Sequence, residues 1–369
     1  MQLPDTADVV VVGGGVMGAS TLYHLARAGC TNAVLVESSG IGAGATGAAA
    51  GGVRTQFSDE LNIRIGLECI ARFERFEQEI GAPISLHQNG YLFLLREQDL
   101  PPFDQSLKLQ QSLGVPVERL SPEQILEVVP NVRIDDLAGA NLCRRDGVAA
   151  PADVAQGYAS AARRLGAKVV EGASVSRIDV EADRVVGVTT DRGSVTAPTV
   201  IVTAGYPSVE LLTPLGAQLP FQPERRNIYF TDPVDGQPDQ LPLTVDFATG
   251  FYFHSEGDGL LMGGREPDLE SLIPIATNRL PGLEHVGMRA TWSGDYVMSP
   301  DHNPVVGPVV DGLDVLVATG FSGHGFQQGP VIGEHLAELA LGQEPTFDLS
   351  EFGHDRFQRG AQRVEHNVI

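Results

Sequence analysis

The apolar run Val9–Val12 leads straight into Gly13-Gly14-Gly15-Val16-Met17-Gly18, and no other stretch restricts the fold of this chain so severely. Gly13, Gly15 and Gly18 stand in GxGxxG spacing between a predicted strand and a segment, Met17 to Ala28, whose apolar residues recur at helical intervals. A loop of this kind lets backbone amides and a helix N-terminus close around a pyrophosphate. Val34 to Glu37 reads as the next strand, so the chain opens with a βαβ unit. Glu37 ends that strand about twenty residues past the glycines, where a carboxylate can bond both hydroxyls of an adenosine ribose and repel a 2′-phosphate. A glycine turn that merely packed a helix on a sheet would not require that acid. The pattern specifies a dinucleotide and leaves NAD and FAD both open.

The rest of the chain alternates between two styles. Arg64 to Glu79 is a predicted amphipathic helix ended by Gly81, and Tyr91 to Leu95 a strand. Residues 100–145 read as an insertion with helices at Asp104 to Leu113 and Pro122 to Val128, the second opened by Ser121 as N-cap. A helix over Asp153 to Leu165 and strands at Lys168 to Val170, Val175 to Val180, Val185 to Thr190 and Val200 to Thr203 return to the opening style. Between about Tyr206 and Val286 an antiparallel sheet is expected, with Arg226 to Phe230 as one strand and a Gly-Asp-Gly hairpin in GFYFHSEGDGLLMGG. Leu313 to Ala318 is a buried strand, Val331 to Leu341 a helix, and the residues from about Ser350 a polar tail.

Charge narrows the partners. Against 25 Lys and Arg stand 47 Asp and Glu, a formal net charge of -22, which repels phosphate backbones and anionic headgroups and makes nucleic acid an unsuitable partner. The three cysteines, Cys30, Cys69 and Cys143, form no CxxC pair, and the 9 histidines are scattered, so no metal site is expected. No window reaches the roughly 20 apolar residues of a membrane span, and Asp5 and Asp8 stand where an export signal needs positive charge. The expected location is the cytoplasm.

Beyond Glu37, the stretch SSGIGAGATGAAAGGVRTQF is almost wholly small residues, suited to backbone packed on a flat ligand. The fingerprint, the acidic strand end, a small-residue run containing Thr46 and then Gly51-Gly52-Val53-Arg54 resemble the amine-oxidising flavoproteins of the sarcosine oxidase, D-amino acid oxidase and glycine oxidase family. RVVGVTTDRGSVTAPTVIVTAG and VLVATGFSGHGFQQGPVIGEHLAELALG resemble the family's second and third flavin-side units, and PD-x-x-P-x-x-G is present as Pro300, Asp301, Pro304 and Gly307. The resemblance runs from Gly13 to about Gly342. It implies FAD, with Gly13, Gly15, Gly18, Glu37, Ser38, Thr46, Gly52, Val175, Ala204, Gly205, Gly320, Gly323, Gly325 and Gln327 about the cofactor. It also implies a Rossmann-like FAD-binding domain (1–85, 146–207, 287–369) interleaved with an antiparallel-sheet substrate domain (86–145, 208–286).

Covalent relatives carry a cysteine at the position matching Ala290, so the flavin is expected to be held without a thioether. Monomeric sarcosine oxidases carry a lysine where this chain has Gln327, which favours a dehydrogenase over a fast oxidase. GFSGHGFQQGP looks most like the β subunits of heteromeric sarcosine oxidases and proline dehydrogenases. That implies a small amine or amino-acid substrate such as sarcosine or proline, and a heteromer or homo-oligomer whose electron acceptor is oxygen, a quinone or a partner subunit. Arg54, His324 and Gln327 are the catalytic candidates. A substrate carboxylate needs a guanidinium or hydroxyls, so Arg54, Arg226, Arg289, Tyr252 and His324 are the substrate-binding candidates. On the predicted strand 251–254, Tyr252 and His254 face either a cavity or a solvent-facing edge. A D-amino acid or 2-hydroxy acid dehydrogenase, or an electron-relay subunit without a substrate of its own, are the other functions considered.

Overall fold

The computed structural model describes residues 2–238 and 240–368. Strand β1 (Val9–Val12) lies inside a six-stranded sheet ordered 305–308, 315–319, 199–202, 9–12, 33–37, 168–171. Every neighbouring pair is parallel except Val305–Pro308 with Val315–Thr319. The uninterrupted valines follow from burial on both faces, as in covered parallel sheets: Val9 and Val11 face one apolar cluster, Val10 and Val12 another. On the first face lie α1 (Val16–Arg27), Pro151–Arg164 and Gly325–Ala340; residues of an antiparallel sheet spanning Val175–Thr196 cover the second.

Two glycines bring α1 onto the strand ends. Gly13 has φ +103°, and a β-carbon on Gly18 would stand 2.0 Å from the Gly13 carbonyl oxygen. β2 (Ala33–Glu37) follows, and then β3 (Gly52–Val53), which pairs with Gly147–Val148.

The second layer is an eight-stranded sheet ordered 288–298, 222–231, 259–263, 251–256, 243–246, 91–95, 139–143, 117–120, antiparallel but for 243–246 with 91–95. The hairpin at Gly257 and Asp258 forms as expected, and residues 100–145 add two strands to this sheet. A division at 287 would cut Met288–Met298 away from Gln222–Thr231, to which it is bonded along its length; the chain leaves this sheet only after Met298.

Helix limits differ from the expected ones where side chains cap or pack. Asp59 accepts the Asn62 amide and starts α2 (Glu60–Glu74) ahead of Arg64, and a separate turn, Phe76–Ile80, completes the predicted span. The last long helix begins at Gly325, well before Val331, because α1 and α2 pack against its Gly- and Pro-rich first half and offset weak propensity. The stretch from Ser350 is solvated only in part, with residues 358–364 exposed. Arg356 is buried on Asp301 at 2.8 and 3.0 Å, and Glu365 and Asn367 are buried beside residues 54–58. The buried Arg356, Glu365 and Asn367 each have hydrogen-bond partners, so the polar composition gave no sign of their burial.

Gly18→Ala pushes a β-carbon into backbone, an overpacking cost of about 1–3 kcal/mol. We expect a lower urea midpoint and a reduced flavin-to-protein absorbance ratio; wild-type values for both would show that the contact is not limiting.

Candidate active site

The dinucleotide end is built on the loop between β1 and α1. Gly15 caps α1 with extended backbone and no side chain. The Thr46 hydroxyl accepts the Val16 N–H at 3.0 Å, which leaves its own hydrogen to donate to an oxygen such as a phosphate's. Glu37 accepts the Gly14 N–H at 2.6 Å, the Ser39 N–H at 2.7 Å and the Ser38 and Ser39 hydroxyls at 3.1 and 3.0 Å. The acid expected to grip a ribose therefore also pins the glycine loop, and the two rotatable serine hydroxyls are the contacts a ribose could replace. The Ala173 N–H donates to the Glu37 carbonyl at 2.9 Å, which brings the backbone leading to Val175 to the same strand end. Ala204 lies against Gly13, and the Gly205 carbonyl takes the Thr319 hydroxyl at 2.9 Å. These backbone turns leave room that a β-carbon would fill, so the residues fit a dinucleotide.

At the other end β3 meets the start of the Gly325–Ala340 helix. The Gln327 side-chain oxygen accepts the Arg54 N–H at 2.6 Å, fixing the arginine beside the helix's first turn. Arg54 is 5% exposed, and its guanidinium lies 4.1 Å from the centre of the Phe57 ring. It donates to main-chain oxygens, Gln56 at 2.7 Å and Asn367 at 2.6 Å. Among the described residues, no carboxylate side chain stands within ion-pair distance of it.

The same pocket is lined by Tyr91, Tyr252, Tyr296, His324 and Gln327. Burial holds all three phenols above their ordinary range, Tyr91 at about 12, so they remain neutral donors. Gly323, φ +92°, admits the Tyr296 ring where a β-carbon would lie 2.5 Å from it. His324 donates through Nδ1 to the Phe321 carbonyl at 2.6 Å, while its buried Nε2 has no partner among the described residues. Burial, with the charges of Arg54 and His302, pushes its pKa down to about 3. A neutral ring with Nδ1 protonated thus leaves Nε2 as a hydrogen-bond acceptor.

Other candidates fall elsewhere. Arg289 is not at the pocket: it sits at the start of Met288–Met298, paired with Asp232 at 2.9 Å and Asp258 at 2.5 Å, which satisfies its charge at the surface. Arg226 stands behind the pocket wall, 5.5 Å from the centre of the Tyr296 ring and 2.7 Å from Glu224. The strand carrying Tyr252 and His254 is interior rather than an edge, because strands flank it on both sides. His254 is buried and meets the Ala50 carbonyl at 3.1 Å. Tyr91, Tyr296, Asn367 and Val368 line or touch the pocket, and sequence reasoning missed all four. Tyr91 had a signal in its predicted strand, whereas Tyr296 and the last two had none.

The family model for FAD-dependent oxidoreductases matches residues 8–339. The chain belongs to this family. It is 30% identical to human mitochondrial sarcosine dehydrogenase over 96% of its length and 29% identical to the 4-methylaminobutanoate oxidase (formaldehyde-forming) of Paenarthrobacter nicotinovorans, also over 96%. The chain spans only 42% and 46% of those two relatives. The crystal structure of L-proline dehydrogenase from P. horikoshii superposes with a TM-score of 0.89 at 28% identity, over 98% of this chain and 100% of that one. Glycine oxidase from Geobacillus kaustophilus gives 0.85 at 25% identity, over 96% and 99%. The chain is an FAD-dependent oxidoreductase with the family's mixed α/β fold. Among the described residues no helix is long and apolar enough to cross a membrane.

Between pH 5 and 8 the His324 ring is expected to stay neutral, since its pKa lies near 3. Nitrogen-15 shifts of the imidazole should show a Nδ1–H tautomer throughout that range; a protonation midpoint near 6.5 would contradict the burial.

Proposed function

We propose that the chain oxidises the C–N bond of a small amino acid, an N-methyl amino acid such as sarcosine or else proline, giving an imine that water hydrolyses. The observation that carries this reading is Arg54, a buried guanidinium that among the described residues is satisfied by neutral carbonyls, in a pocket lined by tyrosines. A carboxylate offers it a stronger, charge-assisted partner than those carbonyls do. The activities for which the relatives are named, sarcosine and L-proline dehydrogenation, have substrates with that carboxylate beside a secondary amine.

FAD, when bound, supplies the two-electron acceptor for the hydride on the carbon next to nitrogen. The chain's residues bind, orient and shield. Arg54 takes the carboxylate, and its own position is set by Gln327. The neutral Nε2 of His324 accepts an amine N–H, and because its pKa is near 3 it holds that hydrogen rather than removing it. The substrate therefore enters as the neutral amine, with the nitrogen lone pair free to form C=N as the hydride departs. Tyr91, Tyr252 and Tyr296 line the pocket with apolar rings, which lowers the local dielectric so that fixed dipoles count for more. Gln327, in the place of a lysine, supports slow reaction with oxygen and transfer of electrons to a quinone or a partner subunit. Ala290 supports flavin held without a covalent link.

Anaerobic visible spectra of the flavin-loaded protein, before and after sarcosine, proline and D-alanine, test the reading. Bleaching is expected with sarcosine or proline. Bleaching by D-alanine alone would move the assignment to primary D-amino acids, and a flavin that no amine reduces would remove it. Arg54→Gln should raise KM for the reducing amino acid about 10- to 100-fold, the loss of a charged hydrogen bond of about 1.5–3 kcal/mol. An unchanged KM would place the carboxylate elsewhere.

A further inference from the structure

Residues 361–368 form no helix or strand; residues 361–364 are exposed, but the end of the segment is bound back beside the pocket. Asn303 donates to the Arg363 carbonyl at 2.6 Å, and the Glu365 N–H to the Asp301 carbonyl at 3.0 Å. The Glu365 carboxyl group takes the Ser58 N–H at 2.9 and 3.0 Å and the Asn367 N–H at 2.8 Å. The Asn367 amide reaches the Gln56 carbonyl at 3.2 Å, and its backbone carbonyl accepts from Arg54 at 2.6 Å. Val368 lines the pocket.

We infer that this segment is a displaceable wall of the substrate site, with the Asn367 carbonyl holding the Arg54 donor until a substrate carboxylate replaces it, and with the half-buried Asp59 carboxyl and the buried Glu365 carboxyl as its latch. The inference rests on the reading that Arg54 receives a carboxylate. An oxygen 2.6 Å from the guanidinium already occupies the position such a carboxylate would take. With the segment seated, the space left in the pocket is about 70 Å³. That is roughly half of the ~150 Å³ cavity that admits benzene, a molecule the size of a small amino acid. Displacing the wall would give such a substrate both the room and the Arg54 donor.

The latch is electrostatic. Glu365 is fully buried and shares a hydrogen bond with Asp59, the N-cap of α2. The other charged or titratable groups nearby are Arg54, Asp301, which is tied to Arg356, and His302, whose ring meets the Glu365 carbonyl at 3.1 Å. Burial first and the Asp59 carboxyl second hold the Glu365 carboxyl up at about 7. The seated segment thus keeps a proton that a released Glu365 would give up near its ordinary value of 4.5. Seating is fully favoured below about pH 4.5 and is lost as pH rises through about 7, so carboxylate binding should tighten across that window.

Hydrogen exchange on the flavin-loaded protein tests this with pyrrole-2-carboxylate and its uncharged counterpart, pyrrole-2-carboxamide, binding being followed by flavin absorbance. At saturation the carboxylate should speed exchange of the 365–368 amides at least tenfold, and the carboxamide should not. Removing residues 361 onward should tighten carboxylate binding at least tenfold. Glu365→Gln should flatten the dependence of carboxylate Kd between pH 5 and 8. If the carboxylate perturbs the flavin while those amides stay protected, the wall does not move and the inference falls, with the assignment of Arg54 intact. If the carboxylate binds neither the whole nor the shortened protein, both fall. A pH dependence that survives Glu365→Gln removes the latch.

Discussion

The first turn of α1 rests on the Gly13 carbonyl because Gly18 has no side chain, and much of the structure follows from that contact. It brings the helix N-terminus over the ends of the parallel strands, where Thr46 and Glu37 bind the loop from the far side. It also lays α1 against the Gly325–Ala340 helix, whose own first turn forms the opposite end of the site. The strand ends are thus covered by unhindered backbone, the surface that a pyrophosphate requires.

The second organising element is the Arg54 to Gln327 hydrogen bond, which ties the segment after β3 to the last long helix. With its backbone fixed, Arg54 extends into an aromatic enclosure formed by Phe57 and by Tyr91 and Phe93 of the eight-stranded sheet. Burial of a guanidinium among neutral acceptors is costly unless a counter-charge arrives. On the proposed reading, substrate recognition and the stability of the pocket depend on the same group. The 361–368 segment lowers that cost through the Asn367 carbonyl.

Motifs whose chemistry is local are legible in the order of the residues alone. The glycine fingerprint, Glu37, the Gly-Asp-Gly hairpin and the strand at Tyr91 to Leu95 all form where their residues indicate. Long-range pairing is less legible. Arg289 has the chemistry of a carboxylate binder, but Asp232 and Asp258, distant in sequence, neutralise it at the surface. The Gly325 helix start is hidden because Gly and Pro are poor helix formers and only contact with α1 and α2 holds them. Tyr296 reaches the pocket through the register of Met288–Met298 against Gln222–Thr231, a pairing that periodicity cannot assign.

The sequence by itself determined the nucleotide-binding βαβ unit, the alternation of buried parallel and antiparallel strands, and the presence of Arg54 and the histidine loop, because each depends on neighbours a few residues apart. Only the tertiary structure decided which arginine is buried and, among the described residues, without a carboxylate partner, which tyrosines line its pocket, and that the last residues return to it. Those outcomes depend on contacts between segments as distant in sequence as Arg54 and Asn367, and neither the composition nor the spacing of either segment carries that information.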